Sequence, residues 1–324
     1  MQRNSSSIRH KICYLLNTKF YHGLVYQKRS ISFANMDLIS SIITRFFIQL
    51  FRIVPFWLLY IFADFFYFIM YKVLKYRLNV VQDNLKKTFP DKSEKELKRI
   101  EKLSYKNLSQ ITVESLKAFT MSKKQIFAHH KVINEDDIKH IYDKCGGVLA
   151  LPNHYGNWEW GAMSCMQLMW PGIALYKPLS NKYLNNYVKK NRSRYGTELV
   201  SIYDTARCFV ANKNKHKNYV MASDQSPSNA DKSYWVNFLG RDTAFLHGLE
   251  LYAHKYNYPA VFVDIQRVKK GYYELELTIL SEEPQKLKDG ELTKIFANKL
   301  EEVIRKKPED WLWSHKRWKL SRNV

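Results

Sequence analysis

Apolar and polar positions fall into two textures along the chain. From Ile53 to Tyr71 runs IVPFWLLYIFADFFYFIMY, 19 residues interrupted only by Pro55 and Asp64. That length can span a bilayer or lie deep in one. Asp64 is costly at mid-membrane, so a tilted or interface-lying helix fits as well as a simple span. A buried core helix would share much of this composition. Trp57, Tyr60, Phe65, Phe66, Tyr67 and Phe68 load the segment with interfacial anchors and favour the membrane. Further on, Leu97, Ile100, Leu103, Leu108, Ile111, Val113 and Leu116 recur at helical spacing. Ser93 with Glu96 three residues later is a capping-box pattern, preceded by Pro90. A long helix or helical hairpin is therefore expected here.

From about Gly146 the texture changes to short apolar runs alternating with helical stretches. Strands are expected at 147–152, 173–176, 198–203, 218–224, 259–268 and 272–280. Helical patterns fall at 158–169, 184–196, 245–257 and 291–306. This alternation predicts an α/β fold with a mixed, largely parallel sheet flanked by helices, preceded by a membrane-associated helix. The expected organisation is a basic leader (1–35), a membrane-associated helical segment (36–75) and a catalytic domain (76–324). The leader holds six Lys/Arg and no acid. It reads as a translated stretch upstream of a start at Met36, or as a transit-peptide composition.

Charge adds a partner class. The chain carries 52 Lys+Arg against 30 Asp+Glu, a formal net charge of +22, and 15% of it is aromatic. Such a surface suits nucleic acid or anionic lipid headgroups, and a generally basic proteome would also produce it. No nucleic-acid-binding motif accompanies the charge. Lys72, Lys75 and Arg77 follow the apolar segment and would face the cytoplasm, although Arg45 and Arg52 flank its other side. Cys13, Cys145, Cys165 and Cys208 show neither CxxC nor metal spacing, so reduced thiols are expected, with no disulfide, metal or cofactor.

The chemistry concentrates in GGVLALPNHYGNWEW (146–160). A strand runs into a turn holding Pro152, Asn153 and Gly156, and a helix is expected from about Asn157. Ligands of such sheets sit beyond the strands' carboxyl ends. His154 lies in the turn and Glu159 five residues on, where its carboxylate is expected to reach back to the imidazole and fix its tautomer. The other ring nitrogen could then take a proton from an attacking hydroxyl. With ten His and 30 acidic residues in 324, the spacing alone arises about once per chain. His130…Glu135 repeats it in what reads as a polar helical stretch without a strand or glycine turn. The setting, not the spacing, singles out His154.

NHYGNWEWG resembles the H-x-x-x-x-(D/E) block of glycerolipid-type acyltransferases, and more narrowly that of the late acyltransferases of lipid A biosynthesis, the lauroyl/myristoyl family within the lysophospholipid acyltransferase-like superfamily. YRLNVVQDNLKKTFP (76–90), LYKPLSNKYLNNYVKKNRSRYG (175–196), ASDQSP (222–227), FLGRDTAFLHGLELYAHKYNYPAV (238–261) and WLWSHKRWK (311–319) resemble other family blocks in order and spacing. The resemblance runs from about Asp37 to Lys319. It implies acyl transfer from acyl carrier protein or acyl-CoA to a hydroxyl of a phosphorylated glycolipid, the lipid A precursor, at the cytoplasmic face of the inner membrane.

Carried over position by position, His154 is the general base and Glu159 its partner. Asn157 either positions a substrate oxygen or caps the helix. Lys177, Arg192 and Arg194 are candidate donors to the thioester oxyanion or to substrate phosphates, and a solvated basic helix face would account for each of them equally. The family commonly has Arg where Lys177 stands, and an ammonium lacks the planar bidentate contact. Asp224 and Gln225 are expected to shape the pocket. Trp311, Trp313, His315, Arg317 and Trp318 form either core packing or an interfacial aromatic–basic patch, and packing is expected for the tryptophans. Three other readings remain open: O-acylation of another membrane lipid such as an amino-lipid, thioester hydrolysis, and nonenzymatic membrane binding.

Overall fold

The computed structural model describes residues 35–322. Most of the expected leader, with Cys13, lies outside the described residues. Residues 35–50 form a helix, α1, and after a short turn α2 runs Phe56–Tyr67 and continues as a π-helix over Phe68–Val73. The stretch 56–73 is long and apolar enough to cross a membrane. The apolar surface is wider than the sequence suggests, because α1 joins it. Ile39, Ile42, Phe46, Phe47, Ile53, Trp57, Ile61 and Phe65 all stand exposed, Ile53 at 82% and Trp57 at 68%. Contiguous exposed apolar surface of this kind marks a contact with lipid or protein.

Next comes the expected helical hairpin, α3 (Leu78–Thr88) and α4 (Glu94–Ala118). The Ser93–Glu96 capping box is formed in both directions. Two short helices follow, α5 (Lys123–His129) and α6 (Glu135–Tyr142), with strand β1 (His130–Val132) between them.

The sheet holds seven strands in the order β1-β9-β8-β2-β5-β3-β4. They are β2 (Gly147–Pro152), β3 (Gly172–Tyr176), β4 (Glu198–Ser201), β5 (Lys217–Val220), β8 (Ala260–Lys269) and β9 (Tyr272–Ser281), besides β1. Every pairing is parallel except β8 with β9, so the expected mixed, largely parallel sheet is what the chain forms. Both faces of β2 are covered, which is why it reads as a continuous apolar run. Leu149 and Leu151 pack with Phe262, Phe296 and Leu300, the last two from α11 (Glu291–Lys306). Val148 and Ala150 pack with Val261, Val263, Ile138 and Trp160 on the other face. Burying each large side chain contributes about 1.5–3 kcal/mol.

Helices α8 (Lys182–Arg192), α9 (Thr205–Ala211) and α10 (Gly248–Tyr256) complete the flanks. Two departures from the sequence reading matter for the site. The helix expected at 158–169 is broken into a 3₁₀ turn (Trp158–Trp160), one turn of α7 (Gly161–Ser164) and a second 3₁₀ turn (Cys165–Gln167). Between β5 and α10 lies an unforeseen hairpin, β6 (Ser233–Phe238) and β7 (Arg241–Leu246). Its turn residues Leu239 and Gly240 both take positive φ, as a tight two-residue connection requires.

Candidate active site

Strands β2 and β5 are parallel neighbours, with Ala150 opposite Val220. Their loops therefore leave the sheet at the same carboxyl edge, and four residues past that pair His154 meets Asp224. The Asp224 Oδ1 accepts from His154 Nδ1 at 2.7 Å. Its Oδ2 accepts from the His154 backbone N–H at 2.9 Å and from the Trp311 indole at 3.1 Å. On the far side of the ring, the Gln225 amide nitrogen donates to His154 Nε2 at 2.9 Å. An ionised Asp224 puts the ring proton on Nδ1 and leaves Nε2 with its lone pair, the state a general base needs.

The electrostatics support that state. Asp224 is 2% exposed, and burial alone would disfavour its charge. The neighbouring imidazole and its three donors outweigh burial and hold the carboxyl down at about 2. Burial likewise disfavours a charged His154. The Asp224 charge and hydrogen bond, helped by the charge of Glu159, turn the balance and raise the His154 pKa above its ordinary value.

The loop carrying His154 is fixed on both sides. Tyr155 bridges to Trp311, the Leu312 N–H donates to the His154 carbonyl at 3.1 Å, and the Gly156 N–H donates to the Asp310 carbonyl at 3.1 Å. Gly156 sits at φ +57°, and a Cβ there would come within 2.3 Å of the Ile265 carbonyl oxygen. Only glycine fits that turn.

The other candidate residues divide sharply. Glu159 does not reach the imidazole nitrogen, and Asp224 holds that place instead. In its 3₁₀ turn Glu159 points to α8 and pairs with Arg192. Asn157 does not cap the turn. It is fully buried, and its amide donates at 2.8 Å to the carboxylate of Glu114 on α4. Arg194 is turned away from the site as well. Its guanidinium donates to the carbonyls of Ala118, Phe119 and Met121 at the carboxyl end of α4, which leaves few donors for a ligand. Lys177 is exposed just past β3, on the same sheet edge as His154. Asp224 and Gln225 are the two residues whose side chains hydrogen-bond to the imidazole. His130, in contrast, starts a strand instead of lying in a helix. It is fully buried, bonded to Ser164 at 2.6 Å, and burial lowers its pKa to about 3.

A family model described as bacterial lipid A biosynthesis acyltransferase matches residues 27–320. The chain belongs to that family. It is 24% identical over 248 residues to the lipid A biosynthesis palmitoleoyltransferase of Escherichia coli (strain K12), covering 76% of this chain and 80% of that protein. It is 25% identical over 251 residues to the lipid A biosynthesis lauroyltransferase of the same organism, covering 76% and 81%. A lipid A biosynthesis acyltransferase of Shigella flexneri matches at 24% over 248 residues. The chain is thus an acyltransferase, and the resemblance in NHYGNWEWG and the later blocks is one of common family.

Two tryptophans frame the His154–Asp224 pair. The Trp158 ring lies 5.4 Å from the His154 ring, and Trp311 holds Asp224. Together with Leu108, Ile111 and Leu312 they line a small hollow between α4 and the C-terminal segment. Trp311 and Trp313 are buried, as packing predicts, but Trp311 also has a polar task that packing did not foretell. A buried indole needs an acceptor for its N–H, which is the signal the sequence held. Among the described residues no group of His, Cys, Asp and Glu is arranged to hold a metal ion.

Proposed function

We propose that His154 is the general base of an acyl transfer from a thioester, acyl carrier protein or acyl-CoA, to a hydroxyl of a lipid A precursor. Nε2 takes the hydroxyl proton as the oxygen attacks the thioester carbonyl. The C–O bond forms, the C–S bond breaks, and the imidazolium returns the proton to the leaving thiolate. Asp224 holds the ring and its tautomer, a task that contributes much of a base's efficiency in serine triads. The Gln225 amide occupies the direction from which the hydroxyl must come, so it turns aside as the acceptor enters. The observation that carries this reading is the His154 ring held between Asp224 and Gln225 at the carboxyl edge of a parallel sheet.

Glu159 and Arg192 sit at the mouth. An arginine paired with one carboxylate keeps further N–H donors for the thioester oxyanion or a substrate phosphate. Lys177 adds a point charge on the same edge. The exposed apolar surface of α1 and α2 supports attachment to the inner membrane, with the basic residues after α2 favouring a cytoplasmic catalytic domain.

The test has two parts. Mass spectrometry of lipid A from cells lacking and regaining the gene is expected to show one acyl chain lost and restored. Purified protein given a thioester donor and the precursor is expected to form the ester, and His154→Ala to form none above background. Loss of an acyl chain from an amino-lipid, with lipid A unchanged, would reassign the acceptor.

A further inference from the structure

Glu114 on α4 is 0% exposed, in a place where an unpaired carboxylate would be strongly disfavoured. A carboxylate offers about four acceptor positions, and here all are used. The Tyr60 hydroxyl of α2 donates at 2.8 Å and Arg267 of β8 at 3.2 Å to one oxygen. The Asn157 amide at 2.8 Å and the Tyr273 hydroxyl of β9 at 2.6 Å donate to the other. The four donors come from four separate parts of the chain: the apolar helix, the His154 loop and two strands. A second arm returns to the same loop. Arg267 also donates to the Asn107 side chain at 2.7 Å, and Asn107 donates at 3.2 Å to the Asp310 carbonyl that Gly156 N–H also binds. The Trp160 indole donates to the backbone carbonyl of Glu114 at 3.1 Å. The loop is thus tied to Glu114 directly at Asn157 and Trp160 and, through Asp310, Asn107 and Arg267, at Gly156, while Tyr60 ties Glu114 to the helix whose outer face is exposed and apolar.

We propose that Glu114 is a positioning residue that couples the seat of α2 to the loop carrying His154, so that the base is aligned when that helix is docked on α4. The step is geometric. No group of this cluster touches the reacting atoms. A shift of Tyr60 withdraws one of the four donors, the carboxylate re-aims at the remaining three, and Asn157 moves with it. A catalytic base displaced by a fraction of an ångström loses rate steeply. The inference rests on His154 being the base.

The experiment measures kcat, KM for donor and acceptor, and pH profile of the full chain in lipid micelles for Tyr60→Phe, Glu114→Gln and the double variant. Tyr60→Phe removes one hydroxyl at the edge of the cluster and leaves the Glu114–Arg267 pair intact. It is expected to lower kcat about fivefold with both KM values within about twofold, and the acid limb of the profile unmoved. Glu114→Gln is expected to lose more. The double variant is expected to be no worse than Glu114→Gln alone, because both act through one node. A residue that only supports the fold would lower the folded fraction and leave kcat per folded molecule unchanged. Wild-type kcat in Tyr60→Phe, additive losses in the double variant, or a moved acid limb would overturn the proposal. If Glu114→Gln does not fold, Asn157→Leu takes its place in the cycle with the same expectation. His154→Ala run alongside separates the two claims. If it is inactive while Tyr60→Phe is unaffected, only the coupling fails; if it retains full kcat, the base assignment fails first.

Discussion

Asp224→Asn tests the core of the site most directly. In the wild type the carboxylate accepts three bonds, from the His154 ring, the His154 backbone and Trp311. Asparagine can keep one oxygen on two of these donors, but its amide nitrogen must then face a third donor. The imidazole is driven to the opposite tautomer or left loose. The same substitution in a serine triad lowers kcat about 10⁴-fold, equivalent to about 5.5 kcal/mol, and a loss of about 10³- to 10⁴-fold is expected here. The pH profile moves as well. His154 works neutral, and its pKa is raised above the ordinary histidine value mainly because the Asp224 charge outweighs burial. Activity of the wild type therefore falls as pH drops through that raised value. Without the Asp224 charge the histidine pKa falls, and the acid limb of kcat/KM moves to lower pH even as the plateau collapses. The assay is initial-rate acyl transfer from a thioester to the lipid acceptor between pH 5 and pH 9, with thermal unfolding as the control for folded protein. A plateau within tenfold of wild type, or an acid limb that stays put or rises, would refute the assignment of Asp224 as the orienting acid.

Three further outcomes follow from the same geometry. Glu159→Gln is expected to cost about tenfold in kcat/KM and to move the acid limb down by less than Asp224→Asn, since Glu159 acts on His154 through charge alone and is held by Arg192; a pH profile across both variants ranks them. Arg194→Met is expected to destabilise the fold by about 3 kcal/mol in urea titration, since it strips three carbonyls at the end of α4 of their donor, while kcat of the folded protein is unchanged. Gly156→Ala is expected to lose activity on the order of a hundredfold, because the left-handed turn and the Ile265 carbonyl force the loop aside; steady-state kinetics on soluble, folded protein check it.

Much of the architecture was legible because it is local. The run GVLALP predicts β2 at its observed bounds, the helical pattern at 291–306 coincides with α11, and the Ser93–Glu96 box marks the start of α4. The hairpin β6–β7 escaped because SYWVNFLGRDTAFL has no strict alternation and its turn lacks an Asn or Asp. The site was half legible. His154 stood out by its strand and turn, and Asp224 and Gln225 by their place at a strand end. Which acid holds the ring was not readable. Spacing predicts contact only inside a regular helix, and residues 154–157 are an irregular loop followed by a 3₁₀ turn, so the direction of Glu159 is set by tertiary packing. The contact with Asp224 depends on the register of β2 against β5, a partner 70 residues away. Asn157 shows the same limit. Its side chain answers a buried carboxylate on a helix more than 40 residues earlier, which no local pattern contains.

Cations show how net charge must be divided before it is used. Arg192 and Arg194 stand two residues apart in one basic run, yet one lies at the mouth with Glu159 and the other is spent on the end of α4. Of the same basic run, the outer side of α8 buries no residue and exposes Lys182, Lys189 and Lys190 to anionic surfaces. Asn181, the N-cap of that helix, binds the backbone of α1 at Asp37, and Arg45 of α1 donates to the Tyr183 carbonyl. The lysines therefore sit beside exposed apolar helices, the arrangement that lets apolar insertion and charge act on one membrane surface. Each such lysine contributes about 1 kcal/mol near an anionic leaflet, so replacing all three by Gln is expected to weaken partition to anionic vesicles on the order of a hundredfold at low salt. Screening should shrink that difference several-fold in high salt, while partition to neutral vesicles, driven by α1 and α2, stays the same. Sedimentation with vesicles of the two compositions measures both, and an equal loss on neutral vesicles would show that α8 serves the fold, not the surface.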